Sequence, residues 1–244
     1  DPFKLLHIED NPENHLKRAK NFYRKYFKRQ MIPINYKQKN KIHVGYFSAD
    51  FCSHPVTRCM VNLFELHDSL QFQIYFYSFG LKEDEYTQRI KDTGFIFRNI
   101  KSLSDLDAVK LARDDQLDIA VDLMQYTKNN RMSLFSYRLA AIQINYLGAT
   151  TGSSEIDYYI ADKIIIPEEL KKHFSEKIVY LPHSFMPFDR TRQKPKINYP
   201  RQKYNLPDEA FVLAAFHRNL KITPKEITSW SNVLNRISNA VIWI

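Results

Sequence analysis

Apolar residues recur along the chain in two rhythms, one of period near 3.6 and one of short unbroken runs. Leu16, Ala19, Phe22, Tyr23 and Tyr26 repeat at helical spacing behind Asn11-Pro12-Glu13. An N-cap, a proline at the first helical position and an early acid make this an amphipathic helix. A polar, basic linker from about Met31 to Lys41 precedes the run Ile42–Phe47, which reads as a strand. The loop Ser48 to Pro55 then leads to a helix with Val56, Cys59, Met60, Leu63 and Phe64 on one face. Further strands are predicted at 72–79, 95–99, 118–123, 142–146, 158–161 and 177–181, and helices at 84–92 and 131–140. Ser104 and Asp107 form a capping box opening another helix.

Strands alternating with helices of about ten residues indicate βαβ units, hence an α/β fold with a mostly parallel, Rossmann-like sheet covered on both faces. The stretch 183–207, with Pro187, Pro195 and Pro200 and little periodicity, reads as an interdomain connection. A new unit starts at about 208. It has a strand at 211–216, a polar loop His217 to Ile222, and Thr223-Pro224-Lys225-Glu226, which joins a capping box to an N1 proline. Its helix runs through Val233, Leu234 and Ile237 to a final apolar strand, 240–244. A lone βαβ unit cannot bury both faces, so the rest of a second domain is expected beyond this sequence. The resulting division is 1–41 helical segment and linker, 42–182 first domain, 183–207 connection and 208–244 start of the second domain.

Composition narrows the classes. Among 244 residues, 44% are hydrophobic and 14% aromatic, which excludes a disordered chain. Only five glycines occur, and neither G-x-G-x-x-G nor G-x-x-x-x-G-K-[ST] is present, which removes the common dinucleotide and P-loop fingerprints. The net charge of +9 attracts acidic partners such as nucleic acid, an anionic membrane surface or phosphorylated small molecules. It is spread over Lys37, Lys39 and Lys41 and a basic helix face, Lys17, Lys20, Arg24, Lys25, Lys28 and Arg29, which reads as a solvated surface in preference to a nucleic-acid site. Cys52 and Cys59 read as reduced thiols of a cytoplasmic protein, and no apolar run approaches the ~20 residues that span a bilayer.

In open α/β sheets, ligands bind outside the carboxyl ends of the strands. Three loops qualify. Ser48 to Pro55 carries His54, which could accept a proton or orient a hydroxyl, or could be an ordinary loop histidine. Gln125-Tyr126-Thr127-Lys128 with Gly148 to Ser154 suits close contact with a sugar or phosphate, and equally an ordinary turn. His217-Arg218-Asn219-Leu220-Lys221 lies between a strand end and a capped helix, where free N–H groups and Lys221 favour an anion. No metal-ligand spacing and no ordered Ser, His and Asp set emerges, and Glu168-Glu169 reads as a solvated helix start.

Val44-Gly45-Tyr46-Phe47-Ser48-Ala49-Asp50-Phe51 with His54-Pro55, Tyr126-Thr127, Ala141 to Gly148, Asp157-Tyr158, Ile160-Ala161-Asp162, Ser175-Glu176-Lys177, Tyr180-Leu181-Pro182 and Lys221-Ile222-Thr223-Pro224 resemble, in order and spacing, the catalytic region of the O-linked N-acetylglucosamine transferase and SPINDLY family. The resemblance covers the whole chain, including the Asp1-Pro2-Phe3 opening. It implies two facing Rossmann-like domains of GT-B type, the first and the start of the second being present, usually preceded by tetratricopeptide repeats. It implies transfer of N-acetylglucosamine from UDP-N-acetylglucosamine (UDP-GlcNAc) to Ser or Thr hydroxyls of protein acceptors, inverting and without a metal or other cofactor. The family's loop histidine falls on His54 and its pyrophosphate-binding lysine on Lys221; Thr127, Gly148, Thr150 and Arg218 fall near the donor.

The pattern also departs from the family. Met124-Gln125-Tyr126-Thr127 stands where relatives read Asn-Gly-Tyr-Thr, and the turn Ala149-Thr150-Thr151-Gly152 is about two residues short. Leu220 replaces a tyrosine, and Arg218 stands where animal relatives carry an uncharged amide. These loops border the sugar, so a related donor such as a fucose nucleotide is an alternative. A non-catalytic module binding acidic proteins or nucleic acid is another.

Overall fold

The computed structural model describes residues 2–28, 33, 37–193 and 199–244. Much of the linker expected at 31–41, Arg29 of the basic face, Asp1 and Pro195 lie outside the described residues. Contacts divide the chain into two units, Asp1–Thr191 and Arg192–Ile244.

In the first unit, seven strands form one sheet: β1 (Ile42–Ser48), β2 (Phe72–Ser78), β3 (Ile96–Asn99), β4 (Ile119–Asp122), β5 (Ile142–Asn145), β6 (Tyr158–Ala161) and β7 (Lys177–Tyr180). Their order is β3-β2-β1-β4-β5-β6-β7 and every pairing is parallel. Alternation on the pleat sends neighbouring residues to opposite faces. Val44 and Tyr46 of β1 with Ile74 and Phe76 of β2 pack under α3 (Pro55–Glu65) and α4 (Glu85–Lys91). Phe47, Tyr75 and Tyr77 pack on the other face with Ala108, Val109 and Ala112 of α5 (Asp105–Asp114). The sheet is doubly wound, as the alternating runs predict.

Two short helices precede the sheet, α1 (Pro2–Leu5) and α2 (Pro12–Tyr26). Asn11 caps α2 by accepting from the Asn14 N–H, and Pro12 occupies the first turn. Ala19 and Tyr23 are its buried residues. Gly152, at φ +67°, lies so close to this helix that a Cβ there would fall 2.2 Å from the Lys20 nitrogen, so only glycine lets the two backbones meet. The ring of Phe22 stands edge-on to Tyr126 at 5.0 Å, tying α2 to the loop after β4.

Two local expectations need correction. The helix expected at 131–140 is a single 3-10 segment, Met132–Tyr137. Arg131 is anchored to Asp105 and the carbonyls of Ile100 and Leu103, and Arg138, in left-handed conformation at φ +61°, reaches Glu155 O and Asp157; these anchors leave too few residues for a long helix. The capping box at Ser104 forms only on one side. The Asp107 N–H donates to Ser104 Oγ, but the Asp107 carboxylate accepts from that hydroxyl, not from the Ser104 backbone.

Residues after β7 remain tied to the first unit. Tyr146 Oη donates to Phe185 O, and Arg89 binds Glu65, Asp189 and Thr191 together. The second unit is a βαβ unit: β8 (Phe211–Ala214), α6 (Pro224–Arg236) and β9 (Ala240–Trp243), with β8 and β9 parallel. The Thr223/Glu226 box and the N1 proline form at α6 as the sequence predicts.

The Arg89 guanidinium holds the Asp189 carboxyl down at about 2. A depressed acid stabilises the fold above its unfolded pKa and loses that contribution as pH falls toward the folded one. Arg89→Ala is expected to lower stability by about 1–3 kcal/mol at pH 7, because the Asp189 carboxylate then keeps only the Thr191 N–H and hydroxyl as donors, and to flatten the acid-side loss between pH 4 and 2. Thermal melts of both proteins across that range check it; identical pH slopes would exclude this pairing as a stabilising contact.

Candidate functional site

The chain leaves β1 toward β2 on one side and β4 toward β5 on the other, so the crossovers diverge where β1 and β4 lie side by side. A crevice opens at the carboxyl ends of strands at such a reversal. The two strand ends touch there, with Ser48 Oγ donating to Met124 Sδ at 3.3 Å.

The loop leaving β1 is fixed along its backbone. Thr57 Oγ1 donates to Asp50 O, Thr87 Oγ1 to Phe51 O at 2.6 Å, and Ser53 N to Asp84 Oδ2 at 2.7 Å. His54 is the N-cap of α3, ahead of Pro55. Its Nδ1 lies 3.3 Å from Asp50 Oδ2 and 3.4 Å from the Val56 nitrogen. These contacts need opposite states of that nitrogen: a lone pair to cap Val56, a proton to bond Asp50. The hydrogen bond formed is the one from the Val56 N–H; a proton on Nδ1, facing Asp50, would instead leave the lone pair on Nε2, which has no hydrogen-bond partner among the described residues, and the side chain is 42% exposed. Burial pushes the Asp50 carboxyl up, and the neighbouring His54 pulls it partly back.

At the end of β4, the buried Asp122 accepts from the N–H groups of Met124 and Gln125, both at 2.9 Å. Burial pushes this carboxyl up to about 6, against the pull of those two donors. Tyr126 Oη donates to Thr151 O at 2.5 Å, joining this loop to the turn after β5. Thr127, half-buried, donates its hydroxyl to Met124 O. In the facing turn, Gly148 O accepts from Tyr159 Oη at 2.7 Å, and Asn145 Nδ2 donates to Ala149 O. Thr150 is buried and gives its hydroxyl inward to Glu176, which also accepts from Thr151 N and Ser175 Oγ.

His54, Thr127, Gly148 and Thr150 therefore occupy loops at the carboxyl ends of β1, β4 and β5. In the second unit, Arg218 and Lys221 bracket a 3-10 turn, Asn219–Lys221, with the Lys221 N–H donating to Arg218 O. Both side chains are exposed, and neither is in an ion pair among the described residues.

The model of glycosyl transferase family 41 matches residues 17–199 and 190–244. The chain belongs to that family. Among family 41 relatives, it is 30% identical over 212 residues to the probable UDP-N-acetylglucosamine–peptide N-acetylglucosaminyltransferase SEC of Arabidopsis thaliana, covering 84% of this chain and 22% of that protein. The probable UDP-N-acetylglucosamine–peptide N-acetylglucosaminyltransferase SPINDLY of Oryza sativa subsp. japonica is 30% identical over 204 residues, 81% of this chain and 22% of its own length. In fold, the chain superimposes with a TM-score of 0.84 on a solved point mutant of Thermobaculum terrenum O-GlcNAc transferase, at 24% identity, covering 98% of this chain and 46% of that one. The chain thus spans about a fifth of the length of the two curated relatives.

Sequence reasoning named His54 but not its partner Asp50, although a four-residue spacing before a proline-started helix was a usable signal. Asp122 gave none, since its burial comes from tertiary packing. A raised acid costs stability once it must ionise, so its favourable state is present below about pH 4 and lost as pH rises through 6. Asp122→Asn is expected to remove that decline, with each kcal/mol moving the melting midpoint by about 2–4 °C. Melts from pH 4 to 7 test this; parallel curves for both proteins would refute it.

Proposed function

We propose that the protein transfers N-acetylglucosamine from UDP-GlcNAc to Ser or Thr hydroxyls of protein acceptors by one inverting displacement. The observation that carries the reading is the Asp50–His54 pair at the crevice beside β1, in a chain of family 41. With its proton on Nδ1 held by Asp50, His54 offers Nε2 to the acceptor hydroxyl, as a base oriented by a carboxylate does. The hydroxyl oxygen bonds to the anomeric carbon, its proton passes to Nε2, and the bond to the diphosphate breaks. Charge growing on the departing diphosphate calls for a cation, and that role falls to Lys221, exposed in the second unit ahead of the capped helix α6, as the family resemblance implies.

The partners under this reading are a sugar nucleotide and acceptor proteins, and the setting is the cytoplasm, with tetratricopeptide repeats upstream. No helix among the described residues is long and apolar enough to cross a membrane. A second donor, such as a fucose nucleotide, is the alternative reading, since Met124, Gln125 and the short turn 149–152 depart from what the family resemblance implies.

Two substitutions in the full-length protein separate the roles. Lys221→Ala is expected to reduce turnover about 100-fold or more, the scale of one preorganised electrostatic contact. His54→Ala is expected to slow transfer by about 100-fold while UDP affinity stays within about threefold. Because Nδ1 holds either the Val56 N–H of α3 or the Asp50 carboxylate, the melting temperature of this variant should fall in either case. The rate per folded molecule decides, and an unchanged rate would make His54 a cap and nothing more.

A further inference from the structure

The structure assigns to the first unit a second ligand site, a cavity between α3 and the strap 181–190 that takes a small molecule with an apolar body and a carboxylate. The site is independent of sugar transfer, since no residue given a role in that reaction lines it.

The cavity follows from how the sheet is covered. A parallel sheet needs both faces packed. On the face that carries Val44 and Tyr46, α3 and α4 cover β1 and β2. The connection 146–157 from β5 to β6 contains no helix. The 3-10 segment after β4 packs Leu134 and Phe135 into the opposite core, and the one after β6 packs Leu170 against Tyr159. Alternation on the pleat places Tyr159 on that opposite side too, away from Ile160. Val121 of β4 and Ile160 of β6 are therefore left to the strap. It is pinned at two points. The Phe185 N–H donates to Asp162 Oδ2 at 2.8 Å while its carbonyl accepts from Tyr146 Oη, and Arg89 holds Asp189 at 2.8 Å. An extended segment covers less width than a helix, and a cavity of about 430 Å³ remains between it and α3.

Leu63, Val121, Ile160, Leu181 and Phe188 make the walls apolar. The polar groups among them are already bonded: Tyr46 Oη and His67 Nε2 lie 2.9 Å apart, Tyr146 Oη serves Phe185 O, and Asn62 Nδ2 donates to Glu65 Oε2 at 3.3 Å. Burial pulls the His67 imidazole below its ordinary value, so this wall carries no charge at neutral pH. Water held in such a space needs about two to four polar partners and finds few, whereas an apolar body displaces it favourably. The volume falls within the ~300–1,000 Å³ of small-molecule pockets. Arg190 is the one charged side chain in the lining; it is exposed and is in no ion pair among the described residues. The acids of α3 and of the strap are not free to neutralise it, because Arg89 holds both Glu65 and Asp189. An apolar space beside one uncommitted guanidinium selects an apolar carboxylate, which that planar fork can bind through both oxygens.

The test uses the full-length protein and 1-naphthoate, with uncharged 1-naphthamide as the control, titrated by calorimetry alongside UDP. Naphthoate is expected to bind with a Kd of about 100 μM or tighter, and naphthamide about tenfold more weakly. Arg190→Met should weaken naphthoate about tenfold and leave naphthamide within about twofold. Leu63→Trp fills the space from α3 and Leu181→Trp from the strap. Both should abolish binding of either probe, with UDP affinity kept within about threefold as the check that the protein is folded. Equal affinity for acid and amide, or wild-type naphthoate binding by Arg190→Met, overturns the carboxylate assignment. Displacement of naphthoate by UDP, or unchanged binding in both tryptophan variants, places the probe elsewhere and overturns the site. Absence of binding, as when another segment of the full-length protein fills the cavity, overturns it as well.

Discussion

The candidate site depends on one topological constraint: a parallel sheet whose crossovers all have the same hand must diverge somewhere if both faces are to be covered. Here the divergence falls between β1 and β4, and helices lie on either side of the line between them. The loops that would otherwise fold over one another are carried apart, leaving a gap at the strand ends. Burial in the two core clusters, one on each face, keeps that gap open, because neither strand can move without disturbing apolar side chains above and below.

Within the gap, the loops are held by side chains in place of a regular ladder. Thr57 and Thr87 bind the backbone on the β1 side, Asp122 and Gln125 on the β4 side, and Glu176 collects the hydroxyls of Thr150 and Ser175 behind the β5 turn. Each is buried or nearly so, where a hydrogen bond left unmade is costly. The loops are thus preorganised by the protein itself. Preorganisation is what a displacement reaction gains from, since donors and acceptors need not rearrange as charge develops.

The alternation of apolar runs and amphipathic segments made the strands and most of the helices legible, because both follow from local period and burial. Caps at Asn11 and Thr223 were legible for the same reason: a short polar side chain, a proline and an acid act within four residues. The 3-10 segment at 132–137 was not, because its length is set by Arg131 and Arg138 reaching partners up to 31 residues away in sequence. The site shows the same division. His54 stood out as a histidine in a loop, whereas the buried state of Asp122 and the left-handed turn at Gln125 arise only when β4 and β5 are brought into register.

His54 joins the two kinds of information in one residue. As the N-cap of α3 its place is fixed by the helix, and Pro55 holds the backbone on its far side. As the neighbour of Asp50 its ring is set by a carboxylate that burial makes reluctant to carry charge. The two roles compete for Nδ1, and the outcome determines whether Nε2 carries a proton or a lone pair. A positively charged histidine would favour an ionised Asp50 and could not accept a proton, while the neutral ring with its hydrogen on Nδ1 keeps the carboxylate partnered and leaves Nε2 basic. The Val56 N–H and the Asp50 carboxylate favour opposite tautomers of one ring that is 42% exposed, so a residue fixed in place by the helix keeps a choice of where its proton sits.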